Sequence, residues 1–276
     1  MWAAAFNARR VVLLGALVLI GAFGRPDLAL AAQVTQTQVG TSQGGQPLVV
    51  YSIGQGSTRV FLLGGQDGGP EQNSAWLAND LLAYFSDDQH PLPDNVGLDI
   101  LPVDNPDGIA INSRQYLSGV DPNRNWGGPD WMSDTWDANA QFRRGLGGPE
   151  PFSEPETRAL AEWLTAHPPA FLVNYHSQGG FLLGPLDGVG SSLAAVYTNA
   201  SGYPRPQPGV NPYPYRATGS LNVWLRSVGL GSILIELSTP TSEDFDRNLA
   251  GVQAVLAALS DPSSSSRTSL RSATKA

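Results

Sequence analysis

The sequence predicts a single α/β domain, and three features of the chain support this prediction. Its 276 residues are compatible with one large α/β domain. A hydrophobic fraction of 41% with 7 Trp can supply a packed core. Residues 59–85 read as an apolar strand, a glycine-rich corner and a helix. That arrangement leaves polar side chains at the carboxyl edge of an open α/β sheet, where such sheets bind their ligands.

Composition excludes several classes of function. The formal net charge is −8, so a nucleic-acid partner is not expected. The chain has no Cys, which excludes disulfides and thiolate sites. The fold must therefore be held by its core alone.

Residues 1–32 predict a secretory signal peptide. Arg9 and Arg10 form a basic start, an apolar run covers 11–23, and Ala29-Leu30-Ala31 fits a cleavage pattern. The run is short for a membrane span, although an uncleaved membrane anchor is the alternative. We therefore expect a secreted or periplasmic protein with no stable membrane insertion after cleavage.

The first elements of the domain precede and form the glycine corner. Residues 33–46 are rich in Gln, Thr, Ser and Gly and predict a flexible lead-in to a domain at 47–260. Residues 48–53 and 59–63 predict a pair of strands. A helix is predicted over 70–85, because Pro suits a first helical turn in which its missing N–H would be unpaired anyway.

Further elements follow up to residue 166. Residues 96–103 predict a strand that ends in a dense turn signal at 104–108. Residues 127–152 lack periodicity and predict a long loop at the active face. Ser153 and Glu156 predict a capping box at the start of the next helix.

Two later strands carry polar residues of interest. Residues 170–175 predict an apolar strand that ends at His176. Residues 232–237 predict a buried strand that contains Glu236, and a buried carboxylate is costly unless it has a partner.

The remaining segments complete the domain. Residues 201–215 predict an irregular loop, and Thr218 is expected to cap a short helix. A last amphipathic helix is predicted over 245–259, and the Ser-rich residues 261–276 predict a disordered tail.

Several segments resemble the carboxypeptidase A-like zinc carboxypeptidases (metallocarboxypeptidases). Gly119-Val-Asp-Pro-Asn-Arg-Asn-Trp126 is similar to the Gly-x-Asp-x-Asn-Arg-Asn segment of that family and is the most specific match. Gly64-Gly65-Gln66-Asp67-Gly68 resembles its Gly-Gly-x-His-Gly corner, with Asp67 in place of the His. The match runs from about residue 47 to 259 and keeps the order of the segments, which is more specific than any single piece.

The resemblance implies a single α/β/α domain with a mixed, largely parallel twisted sheet and a zinc site. Asp67, Glu71 and His176 would be the ligands, and Glu71 follows Asp67 at four positions rather than the more common three. Carboxylate is a legitimate zinc ligand, but one more anionic ligand lowers the effective charge of the metal. Another divalent ion is therefore an alternative to zinc, and a core role is the alternative for His176.

The resemblance also assigns residues that bind the substrate. Asn123 and Arg124 would hold its free carboxylate, because an Arg fork can make two parallel charge-assisted bonds. Pairing of Arg124 with Asp121 or Asp130 on the surface is the alternative.

Four further residues have roles that the resemblance implies. Glu236 matches the catalytic Glu, which activates the metal-bound water and passes the proton to the leaving amine; a buried ion pair with an Arg is the alternative. Arg114 is a candidate for stabilising the oxyanion. Tyr215 resembles the substrate-closing Tyr, with Tyr213 as its competitor. Arg114 and Tyr215 could instead be ordinary exposed loop residues. Leu221 falls near the base of the side-chain pocket, which would hint at an apolar or small leaving residue.

Two functions from different classes follow. The first is a secreted zinc carboxypeptidase-like metallopeptidase that hydrolyses a peptide or cell-wall stem-peptide amide bond next to a free carboxylate. The second is a non-catalytic relative that binds peptide or peptidoglycan carboxylates through Arg124. The presence of Glu236 favours the first, and Asp67 in place of His motivates the second.

Overall fold

The computed structural model describes residues 34–261. The predicted signal peptide at 1–32 lies outside the described residues, as does the predicted tail beyond residue 261. Within 34–261, the structure contains no helix that is both long enough and apolar enough to cross a membrane.

The described chain forms a seven-stranded sheet, a two-stranded hairpin and six α-helices. In chain order the elements are β1 Val34–Thr41, β2 Pro47–Ile53, β3 Thr58–Leu63, α1 Gln72–Phe85, β4 Val96–Leu101, α2 Pro106–Ile111, β5 Thr135–Trp136, β6 Phe142–Arg143, α3 Pro155–Ala166, β7 Phe171–Ser177, β8 Phe181–Leu183, α4 Ser191–Ser201, α5 Leu221–Ser227, β9 Ser232–Leu237 and α6 Phe245–Ser260.

The large sheet is mixed, with a parallel centre. Its strand order is β1-β2-β4-β3-β7-β9-β8. The neighbours β4, β3, β7 and β9 run parallel, whereas β1, β2 and β8 add antiparallel strands at the edges. The predicted mixed, largely parallel sheet is confirmed.

Hydrophobic core lies on both faces of this sheet. Because side chains alternate along a strand, Val60 and Leu62 of β3 belong to one buried cluster, whereas Phe61 and Leu63 belong to the other. Residues of α1, α4 and α6 pack in the first cluster, and residues of α3 and α5 pack in the second. The domain therefore has the α/β/α layering that the resemblance implied.

The N-terminal boundary of the domain differs from the prediction. Residues 33–46 were expected to be a flexible lead-in, but Val34–Thr41 forms β1, which pairs with β2 from Val34 opposite Ile53 to Thr41 opposite Pro47. An edge strand can be held by backbone hydrogen bonds without an apolar face. The polar composition of β1 therefore gave no hydrophobic pattern from which a strand could be predicted. The predicted pairing of 48–53 with 59–63 is also wrong, because β4 lies between these strands.

Two predicted helix caps are wrong, because tertiary partners take the capping side chains. Glu156 Oε1 accepts a hydrogen bond from the Gln43 backbone N–H at 2.8 Å, and no side chain caps α3. The Thr218 hydroxyl lies 2.7 Å from the Thr135 hydroxyl, and Ser220 caps α5 instead. Strand β8 and helix α4 had no sequence prediction.

Candidate active site

The carboxyl ends of three neighbouring parallel strands position the candidate site. β3 leads into the corner that carries Asp67 and Glu71, β7 carries His176 and β9 carries Glu236. Because parallel strands end at the same edge of a sheet, residues more than 100 positions apart in the chain meet there.

Asp67, Glu71 and His176 come together as the sequence predicts. All three are buried, and one potential ligand atom from each lies within 4.8 Å of the others. His176 Nδ1 lies 2.9 Å from Asp67 Oδ2 and 3.0 Å from Glu71 Oε2. The three residues, which we call the triad, therefore present two carboxylates and one imidazole to the same point.

The glycine corner packs closely against the chain segment that contains Ser113. Gly68 has a φ of +60°, and a Cβ at this position would lie 2.1 Å from the Ser113 carbonyl oxygen. Only glycine is compatible with this backbone at such close approach. Glu71 Oε2 also accepts a hydrogen bond from the Ser177 backbone N–H at 2.9 Å, which fixes the carboxylate against the end of β7.

The electrostatics of the triad suit a cation. Burial and the neighbouring Asp67 carboxylate raise the pKa of Glu71 to about 7. Burial lowers the pKa of His176, but Asp67 and Glu71 outweigh this effect and raise it to about 10. Two carboxylates that share one buried site disfavour each other's charge, and a positive partner relieves this cost.

The donor set fits a divalent metal ion. Asp67 Oδ1 and His176 Nε2 are buried and have no hydrogen-bond partner. Buried polar atoms normally have partners, so these orphaned atoms indicate a site built for a group beyond the protein chain. Carboxylate oxygen and imidazole nitrogen are both established zinc ligands.

Arg114 also reaches the triad. Its Nη1 lies 2.7 Å from Asp67 Oδ2 and 2.9 Å from Glu71 Oε1, and its Nε donates to Asp121 Oδ2 at 2.7 Å. Burial raises the pKa of Asp67, but the Arg114 guanidinium and His176 together outweigh this effect and hold that pKa well below its usual range. Its expected contact with a substrate oxyanion stays a prediction, because its Nη1 is engaged by the triad.

Arg124 is buried with one donor unused. Its Nε donates to the Trp136 carbonyl at 3.1 Å and its Nη1 to the Asn123 carbonyl at 2.8 Å, whereas its Nη2 has no hydrogen-bond partner. The alternative partners have other bonds: Asp121 binds Arg114, and Asp130 Oδ1 accepts from the Gly219 backbone N–H. An unsatisfied buried guanidinium N–H suits an anionic ligand.

Glu236 is paired with a tyrosine. The Tyr213 hydroxyl donates to Glu236 Oε1 at 2.6 Å, and no ion pair joins Glu236 to an arginine in the part of the chain that the structure describes. Tyr215 stacks on Tyr213 with ring centroids 5.5 Å apart, and the Arg124 guanidinium carbon lies 5.4 Å from the Tyr215 ring centroid. The two candidate tyrosines therefore face different partners.

The residues that the sequence assigns to the site line one cavity of about 1110 Å³. Its lining includes the triad, Arg114, Asn123, Arg124, Tyr213, Tyr215 and Glu236. The predicted site residues, which span 67 to 236 in the chain, are thus brought to a single space.

Leu221, which was expected near the base of the pocket for the substrate side chain, does not line the cavity. Leu221 is fully buried in the core, whereas Asn222 and Ser232 line the cavity. Asn222 Nδ2 donates to Ser232 Oγ at 2.9 Å, and Asn174 Nδ2 lies 3.4 Å from Asn222 Oδ1. Sequence reasoning missed Asn222, because a shift of one position on α5 exchanges a core residue for a cavity residue.

Comparisons with known proteins show which family the chain resembles. The family profile described as "Zinc carboxypeptidase" matches residues 29–256. Murein peptide amidase A of Escherichia coli (strain K12) is 29% identical over 147 residues, which is 51% of this chain and 57% of that protein. Carboxypeptidase A2 of Mus musculus is 25% identical over 178 residues, 55% of this chain and 41% of the relative. The chain therefore matches only about half the length of these relatives.

Solved structures extend the likeness over most of the chain. The crystal structure of murein-tripeptide amidase from Escherichia coli O157 has a TM-score of 0.63 and 25% identity, and the match covers 86% of this chain and 97% of that one. Bovine thrombin-activatable fibrinolysis inhibitor has a TM-score of 0.64 and 19% identity, with 82% of this chain and 88% of that one covered. The second likeness concerns the fold alone.

Proposed function

Because the chain belongs to the zinc carboxypeptidase family, we propose that it hydrolyses an amide bond next to a free carboxylate in a peptide or a peptidoglycan stem peptide. The observation that carries this proposal is the meeting of the triad, Glu236 and Arg124 in one cavity. The likeness to murein peptide amidase A favours a stem peptide as the substrate.

The triad is the proposed metal site. Asp67, Glu71 and His176 would hold one divalent ion, for which the family implies zinc. When bound, such an ion polarises a carbonyl group and makes water more acidic. Two carboxylate ligands neutralise more of the positive charge of the ion than one does. The ion is therefore expected to increase the acidity of water less.

Glu236 is the proposed proton carrier. Its Oε1 accepts a hydrogen bond from the Tyr213 hydroxyl. Its Oε2 would take a proton from the attacking water and give it to the leaving amine. The strand ladder supports this role, because Glu236 is the register partner of His176 across β7 and β9. The base and the proposed metal ligand therefore sit side by side at the strand ends.

Arg124 is the proposed carboxylate anchor. Its Nη2 has no hydrogen-bond partner, and both Arg124 and the neighbouring Asn123 line the cavity that contains the triad. A bound carboxylate would supply the missing acceptor and orient the scissile amide toward Glu236. The Tyr215 ring beside Arg124 would close over the bound end.

We also propose that the protein acts outside the cytoplasm. Support comes from the predicted signal peptide at 1–32. A fusion of residues 1–32 to a reporter would test export directly.

The test of the proposed function couples metal content to cleavage. The purified chain should bind about one zinc equivalent at a tetrahedral-type site and release C-terminal residues from peptides or stem peptides. Replacement of the substrate carboxylate by an amide should abolish that release. A protein that binds no zinc, manganese or cobalt and cleaves none of these substrates would falsify the proposal.

A second candidate is a binding protein without activity. Asp67 in place of His, with Arg114 bonded to it, is the observation that favours this reading. Such a protein would bind peptides with a free carboxylate through Arg124 and leave them intact. Arg124→Gln should then remove binding, and Glu236→Gln should not change it.

A further inference from the structure

Arg114 links two acidic groups on opposite sides of its guanidinium. On one side, Nε and Nη2 face the Asp121 carboxylate at 2.7 and 3.4 Å. On the other side, Nη1 contacts Asp67 and Glu71 at 2.7 and 2.9 Å. The side chain is only 13% exposed, so these are largely desolvated ion pairs.

The backbone holds Arg114 in this position. Its carbonyl accepts from Asn105 Nδ2 at 3.0 Å, and the preceding Ser113 carbonyl accepts from the Gly69 backbone N–H at 3.1 Å. Arg114 is thus tied to the same glycine corner that carries Asp67. With its Nε side fixed by Asp121, the guanidinium has its Nη1 directed into the triad.

Arg114 and a metal ion would need the same atoms. Asp67 Oδ2 contacts both Arg114 Nη1 and His176 Nδ1, so the oxygen nearest the imidazole already has a cationic partner. Glu71 is shared in the same way, with Oε1 toward Arg114 and Oε2 toward His176. A divalent ion at this point would also face the repulsion of a buried positive charge at close range.

The ion pair depends on the residue at position 67. A neutral imidazole carries no net charge and cannot form a salt bridge with a guanidinium, whereas the Asp67 carboxylate can. The carboxylate in place of His therefore provides Arg114 with its partner as well as altering the ligand set.

We propose that Arg114 is an internal counter-cation that closes the triad and competes with the divalent ion, so that metal loading requires Arg114 to release Asp67 and Glu71. This inference rests on the metal site proposed above. Asp121 keeps the guanidinium beside the site after release, so the bonds re-form when the ion leaves.

Calorimetric titration of the metal-free chain with zinc tests this inference. Arg114→Gln should bind zinc with a dissociation constant lower by about tenfold or more, because charge-assisted bonds no longer compete for the carboxylates. Arg124→Gln is the matched control: it removes a more deeply buried arginine from the same cavity, one that does not bond to the triad. It should change the dissociation constant much less.

Two results would overturn the inference. One is zinc binding by Arg114→Gln that equals or is weaker than that of the parent. The other is equal tightening in both variants, which would indicate a general effect of net charge. If Arg114→Gln does not fold without metal, Arg114→Lys replaces it, since a compact ammonium lacks the fork that bonds Asp121 through one edge and the triad carboxylates through another nitrogen. It should tighten binding in the same direction, and unchanged or weaker binding overturns the inference.

The same titration separates this inference from the proposed function. If the parent and Arg114→Gln bind zinc equally and measurably, the proposed metal site is supported and the proposed role of Arg114 is contradicted. Zinc binding by Arg114→Gln but not by the parent supports the counter-cation and contradicts a metal-dependent parent. Absence of binding in both contradicts both.

Discussion

His176 and Glu236 are register partners across the parallel pair β7–β9. Adjacent parallel strands lie about 4.8 Å apart, and paired residues direct their side chains to the same face. Both residues line the same cavity, so one strand pair brings together a proposed metal ligand and the proposed proton carrier.

Glu236→Gln should separate proton transfer from metal binding. The amide keeps the size of the side chain and can still bond to Tyr213, but it cannot take a proton. Hydrolysis should fall by about 100-fold or more, while zinc binding stays unchanged. Glu162→Gln, an exposed change on α3, is the control and should keep full activity. A Glu236→Gln enzyme with normal turnover would contradict the assignment.

Asp67→His should strengthen metal binding. It removes one anionic ligand and the ion pair with Arg114, and it supplies the imidazole that the family resemblance implies. We expect zinc affinity to rise by roughly tenfold or more, and hydrolysis to rise with it. Zinc titration and a cleavage assay measure the two effects. A variant that binds zinc no better than the parent would show that residue 67 is not a ligand.

The two tyrosines should differ in their kinetic effects. Tyr213→Phe removes the 2.6 Å hydrogen bond to Glu236, so kcat should fall by about tenfold, as expected for a bond to a charged group. Tyr215→Leu removes the ring that lies beside Arg124, so KM should rise with kcat nearly unchanged. The reverse pattern would favour Tyr215 as the residue that acts on Glu236.

Asp104 should make stability depend on pH. Burial and the nearby Glu156 raise its pKa to about 7, so the folded state favours the protonated form. The free energy of unfolding should therefore fall as pH rises from about 4 to 7, the window between the unfolded and folded pKa values.

Asp104→Asn should remove this pH dependence. It should stabilise the protein by on the order of 2 kcal/mol at pH 8 and by little at pH 4. Chemical denaturation at both pH values gives the measurement, and the exposed Asp80→Asn is the control. If Asp104→Asn changes the free energy of unfolding equally at the two pH values, the raised pKa of Asp104 is contradicted.

Local sequence patterns predicted the elements that carry the site. The apolar runs that precede Asp67 and His176, and the buried strand around Glu236, follow from periodicity and composition within a few residues. The order of the segments that resemble the family then indicated which strand ends form the site. Patterns of this kind fail for β1, whose polar residues satisfy an edge strand through backbone bonds alone.

The sequence alone therefore determined the α/β class and the strands that carry the site, and its resemblance to a known family indicated the triad. Only the tertiary structure decided which side chains bond to which: Arg114 to Asp67, Tyr213 to Glu236, and Asn222 to the cavity. The physical reason is that secondary structure depends on neighbours a few residues apart. Side-chain partners such as His176 and Asp67, which are 109 positions apart, are chosen by where the folded strands end.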